Sequence, residues 1–165
     1  MDRVAFDIER VAVAVHYVIA KAEPGKLGHV KLNKILWYAD LEHFRRHGAS
    51  ITGLTQYSRA PQGPLAADIS RAVGWLGREG CVTERSVEGD NLFRREMLSL
   101  QEPDTAALTD RQRDILERMT TAIAPLTAHQ LLLMTQKDVL WQETEPGEPM
   151  LVSTGSVITR SPTTA

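Results

Sequence analysis

The chain has 165 residues, 42% apolar and 24% charged, with a net charge of −2 and a single cysteine, Cys81. The length suits one domain with a sizeable core, and one cysteine excludes both an intrachain disulfide and a four-thiolate zinc site. No apolar run of about 18 residues is present to span a bilayer, and a mildly acidic balance argues against a dedicated nucleic-acid binder, whose domain would be basic.

Asp7, Glu9 and Arg10 break the opening stretch, so no secretory signal is expected and the reading is cytoplasmic. The charge is unevenly spread. Residues 24–78 hold eight bases against three acids, a net of +5, and residues 79–110 hold eight acids against three bases, a net of −5. Such a dipolar chain can steer a charged partner toward one face.

In chain order, Val4, Ile8, Val11, Val15 and Val18 recur at spacings of three and four, which predicts an amphipathic helix over 5–22. Residues 30–47 are apolar on more than one side, with Leu32, Ile35, Leu36, Trp37, Tyr38, Ala39 and Leu41, as befits the central helix of a bundle. Arg45 and Arg46 suit its last turn, and Gly48 its left-handed cap. Residues 51–59 predict one or two short strands, and residues 60–64 a stiff turn, with Pro64 as the first residue of a third helix.

From Cys81 the hydrophobic period falls to two, predicting a hairpin over 81–100 on a four-residue turn at 88–91. Thr109/Gln112 and Thr127/Gln130 have capping-box spacing and predict two further helix starts, and Val139-Leu140-Trp141 predicts an added turn. The Ser-, Thr- and Pro-rich end predicts a flexible C-terminal tail over 153–165, after a single domain over 1–152. The expected fold class is α+β, mainly α, with about five helices in one bundle-like domain and a small antiparallel sheet or hairpin.

Candidates for chemistry are few. No phosphate loop, nucleophile elbow or HExxH motif is present, and Cys81 reads as a small packed hydrophobe. No catalytic residue, metal or cofactor is therefore expected. Asp40, His43 and His47 have the helical spacing of a two-histidine, one-carboxylate metal site, which makes a small metal-dependent enzyme the first alternative. Lys26, Lys31, Lys34, Arg45, Arg46, Arg59 and Arg71 could line a phosphate stripe, which makes a nucleic-acid-binding regulator the second.

Three segments together resemble one family. Residues 31–40, Lys-Leu-Asn-Lys-Ile-Leu-Trp-Tyr-Ala-Asp, are similar to the K-L-x-K-L-L-Y-x-A helix of Panacea-domain antitoxins, the SocA-like antitoxins and GepA-type phage-associated proteins. Residues 57–64 resemble that family's aromatic-then-Gly-Pro turn, and residues 108–141 its late helix pair. Asn33, Trp37 and the Met134-Thr135-Gln136 triplet depart from its usual residues.

The resemblance implies an antitoxin that neutralises a co-encoded toxin by direct binding, and in the SocA type also an adaptor that delivers the toxin to a protease. Self-association into a homo-oligomer is compatible with either role, and no membrane partner is expected. Interface anchors are enriched in Arg, Tyr and Trp, so the candidate partner-binding residues are Tyr57, Arg59, Gln62 and Trp141.

Overall fold

The computed structural model describes residues 2–24, 27–89, 92–160 and 162. Among them lie seven helices and five strands: α1 (Asp2–Lys21), α2 (His29–His47), β1 (Gln56–Ala60), β2 (Gly63–Leu65), α3 (Ala67–Arg78), β3 (Val82–Gly89), β4 (Leu92–Ser99), α4 (Asp110–Ile123), α5 (Ala128–Gln136), α6 (Val139–Glu143), β5 (Pro149–Leu151) and α7 (Val152–Ile158). The class is α+β, mainly α, as expected, with two more helices than the periodicity suggests.

Helix α2 is the axis of the molecule. Every residue from 32 to 43 is buried, because α1, α4 and α7 all pack on it and β2 closes another side. Val11, Val15 and Val18 turn the stripe of α1 into this core. Gly48 ends α2 in the left-handed conformation, φ 71°, and its N–H donates to the Phe44 carbonyl. Both capping boxes form: Thr109 and Gln112 close the start of α4, and Thr127 and Gln130 that of α5.

The strands make two sheets. Strands β3 and β4 form the expected hairpin, with Val82 opposite Ser99 and Gly89 opposite Leu92. Its tip at residues 90–91 and the Leu92 and Phe93 side chains lie outside the described residues. Among the described side chains of β4, Met97 is the buried apolar one, Leu98 is half-buried, and Leu100 lies exposed beyond the strand. The hairpin is tied to the start of α2 by Met97 N–H on the Leu27 carbonyl, 3.0 Å, and by His29 beside Glu84, 2.7 Å. The second sheet has the order β2-β1-β5, antiparallel throughout.

Four expectations are corrected. Residues 51–55 are loop, and the strand starts at Gln56. Pro64 opens no helix, because it pairs with Arg59 inside β2 and α3 starts at Ala67. Cys81 is only half-buried, its Sγ 3.1 Å from Gln101 Nε2. The stretch read as a loose tail contains α7, packed on α2, with Val152, Gly155, Ser156 and Thr159 all buried. Composition misled there, because the small residues of α7 are what let it approach α2: a Cβ on Gly155 would stand 2.7 Å from Leu41 Cδ2 and 2.9 Å from the Trp37 ring. Arg45 then secures the end of α7 by donating to the Ser156 and Thr159 carbonyls at 2.7 and 2.9 Å.

Candidate partner-binding face

Tyr57 and Arg59 alternate onto the same side of β1, the side that turns toward the helices. Tyr57 lies at the sheet centre, opposite Met150 of β5. It is 1% exposed and meets Trp37 edge to face at 5.1 Å between ring centroids. Its hydroxyl donates to Asp40 Oδ2 at 2.8 Å. The same carboxylate accepts from Thr52 Oγ1 (2.6 Å) and from the Ile51 and Thr52 backbone N–H groups (2.9 and 3.1 Å). Burial pushes the Asp40 carboxyl up to about 6, and these hydrogen bonds pull against that rise. Asp40 therefore clasps the irregular 51–55 segment to α2, and Tyr57 props the sheet from behind.

Arg59, near the end of β1, comes closer to the surface. Its guanidinium carbon lies 3.8 Å from the centroid of the Trp141 ring, a cation–π contact. One of its five N–H donors, on Nη1, reaches the Thr144 carbonyl at 2.5 Å. Trp141 is held in turn: its Nε1 donates to the Ala60 carbonyl at 3.1 Å, and its backbone N–H is capped by Asp138 Oδ1 at 3.3 Å. Both side chains are half-buried. Gln62 stands exposed on the Pro61-Gln62 turn between β1 and β2, and its side chain makes no hydrogen bond among the described residues. The structure thus brings Arg59, Gln62 and Trp141 to one stretch of surface and sets Tyr57 behind them in the core.

Beneath that surface lies a residue the sequence reading took for part of a basic stripe. Lys34 is 1% exposed. Its ammonium donates to Thr135 Oγ1 and, at 3.3 Å, to the Gln62 carbonyl. Burial lowers its pKa to about 8, and the Asp138 charge opposes the fall. Gly63 leaves room for it: φ is 133°, and a Cβ there would stand 2.6 Å from Lys34 Nζ. The one signal in the sequence was a lysine flanked by the apolar Leu32, Ile35, Leu36 and Trp37 of the central helix.

The other candidate groupings do not assemble. Asp40 turns all of its acceptors to the 51–57 segment, while His43 Nδ1 donates to the Ala49 carbonyl at 2.6 Å. His43 and His47 pack ring to ring at 4.7 Å, and burial lowers the His43 pKa. Among the described residues no three His, Cys, Asp or Glu side chains are grouped to share a metal ion. Several cations of the supposed stripe are engaged within the chain, Lys31 with the Ala124 carbonyl, Arg45 with α7, Arg59 with Thr144 and Arg71 with Asp68 in a surface pair, while Arg46 stands exposed. Lys26 lies outside the described residues. No helix among those described is long and apolar enough to cross a membrane.

Fold and site together describe a mainly helical domain that displays a braced Arg–Trp pair. Residues 32–142, two thirds of the chain, match the family model described as antitoxin SocA-like, Panacea domain. The chain belongs to that family. No curated protein and no solved structure matches it.

Proposed function

We propose that this protein is an antitoxin that neutralises a cognate toxin by direct binding, without catalysis, in the cytoplasm. The toxin would dock on the face carrying Arg59, Gln62 and Trp141, with Tyr57 supporting it from the core. The observation that carries the reading is the family match, which spans all four of these residues. The face also has the composition of an interface centre: an arginine laid on a tryptophan, both partly desolvated before a partner arrives, so less ordering entropy is lost on binding. Delivery of the bound toxin to a protease is the second step of the same reading.

Co-expression with the toxin encoded beside this protein's gene is the test. Arg59→Glu should weaken toxin binding and abolish rescue of growth, but it also removes the Thr144 contact. Gln62→Arg is the cleaner change, because that side chain touches nothing polar within the described residues. It should leave the melting curve unchanged and reduce rescue. Full rescue by both variants, each folded, would take this face out of the interface. For the adaptor step, the toxin's half-life in cells should shorten when the antitoxin is present, and an unchanged half-life would leave binding as the whole mechanism.

A further inference from the structure

A cavity of about 330 Å³ opens between α2, the α5–α6 junction and the end of α7, lined by Tyr38, Met134, Lys137, Asp138, Val139 and Ile158, with Thr159 and Arg160 completing it. Tyr38 is 4% exposed, yet its hydroxyl has no hydrogen-bond partner among the described residues. Burial raises its pKa, and the nearby Asp138 charge raises it further, so it stays an O–H donor at neutral pH. The hydroxyl lies at the cavity wall, a donor that only solvent or a ligand entering the cavity can satisfy.

The charges around it are unbalanced. Lys137 and Arg160 are exposed and form no ion pair among the described residues. Lys34 lies within electrostatic reach of Asp138. Asp138 is the single acid in the lining, and its Oδ1 already accepts from Leu140 N–H, Trp141 N–H and Thr159 Oγ1. Two cations, Lys137 and Arg160, against one carboxylate leave the lining net positive, and Met134, Val139 and Ile158 supply its apolar part.

We propose that this cavity receives a carboxylate carried next to an aliphatic group, supplied by an acidic–aliphatic segment of the toxin. The carboxylate would accept from the Tyr38 hydroxyl and meet Lys137 and Arg160 in charge-assisted hydrogen bonds. The aliphatic part would cover Met134, Val139 and Ile158, of which Val139 is 43% and Ile158 40% exposed. Asp138 caps the turn that carries Trp141, so the cavity continues the Arg59–Trp141 face. The choice of the toxin as occupant rests on the antitoxin reading above.

The probe is 3-methylbutanoate, titrated into the full chain while the methyl resonances of Met134 and Ile158 are followed by NMR, with 3-methylbutylamine as the control of opposite charge. The acid should shift both methyls and the amine neither. Tyr38→Phe, and separately the double change Lys137→Glu with Arg160→Glu, should weaken the acid by about tenfold or more. Equal binding of the amine, or no shift with the acid at tens of millimolar, overturns the site.

The same double variant, co-expressed with the toxin, should lose rescue. Loss of the probe with full rescue overturns the toxin as occupant. If wild-type protein itself gives no rescue, the antitoxin reading fails, while the methyl shifts still report on the carboxylate site.

Discussion

Two buried charged residues six positions apart on α2 meet opposite treatment. Asp40 is 0% exposed and accepts four hydrogen bonds, two from backbone N–H groups and two from hydroxyls. Lys34 is 1% exposed and has two acceptors, one hydroxyl and one carbonyl. Burying a charge is tolerable in proportion to the partners that replace water. Asp40 is therefore a structural clasp, whereas Lys34 is held under tension directly below the surface proposed for the toxin. One end of the helix is built for the fold, and the other leaves stability unclaimed where a partner would bind.

The largest effect should come from Asp40→Ala. It strands Ile51 N–H, Thr52 N–H and the Thr52 and Tyr57 hydroxyls, and should cost about 3–5 kcal/mol in urea unfolding. A loss below about 1 kcal/mol would erase the contrast. Gly155→Val attacks the same end from α7, where a Cβ already meets Leu41 and Trp37. About 1–3 kcal/mol is expected from overpacking, and an unchanged urea midpoint would mean that α7 is not docked.

Lys34→Met should fall within about 1 kcal/mol of wild type at pH 7, because removing a poorly paired buried charge often costs little. Thr135 Oγ1 already lies 3.5 Å from the Gln62 carbonyl and can donate to it once the ammonium is gone. The pH dependence sharpens this. Lys34 loses its proton near 8 when folded and near 10.5 when unfolded. Between those values the unfolded chain binds more protons, so stability rises with pH in that window. Asp40 has the opposite sign: its folded pKa is about 6 against 3.8 unfolded, so the folded chain binds more protons and stability falls as pH climbs from about 4 to 6. Relative to Lys34→Met, wild type should gain stability from pH 8 to 10, and parallel curves would show that Lys34 is not desolvated. Smallest of all is Arg95→Ala on the hairpin, which removes an exposed 3.2 Å pair with Glu84 and should change stability by about 0.5 kcal/mol or less.

The helices were legible because their signals are local. The capping boxes at Thr109 and Thr127, the cap at Gly48 and the stripe of α1 each lie within a few residues of the structure they specify. What stayed hidden depends on distant partners. Strand β5 exists because Tyr57 pairs with Met150, and α7 because Gly155 fits the Trp37 ring. Nothing in a three-residue Pro-Met-Leu stretch announces the first, and nothing in a run of Ser, Thr and Gly announces the second. For the candidate face, Tyr57, Arg59, Gln62 and Trp141 were chosen by residue type, which carries neither their burial nor their contacts: the structure lays Arg59 on Trp141 and buries Tyr57 in the core. Asp40 had the spacing of a metal ligand alongside His43 and His47, and its acceptors are taken by the 51–57 segment instead. Thr135, among the residues that depart from the family pattern, proves to be the hydroxyl that receives Lys34.

The strand order β2-β1-β5 has a consequence for synthesis on the ribosome. Strand β1 is complete at Ala60, but its neighbour β5 ends at Leu151 and α7 at Ile158. At about 5–20 residues per second, translation takes roughly 5–20 seconds to bridge that gap. Throughout that interval the nascent chain holds the open seats of Met150 and Gly155, with Trp37 and Leu41 uncovered. Sealing that flank of the α2 core is therefore one of the last events of its making, so a chain cut short before Ile158 keeps that flank of its central helix unshielded.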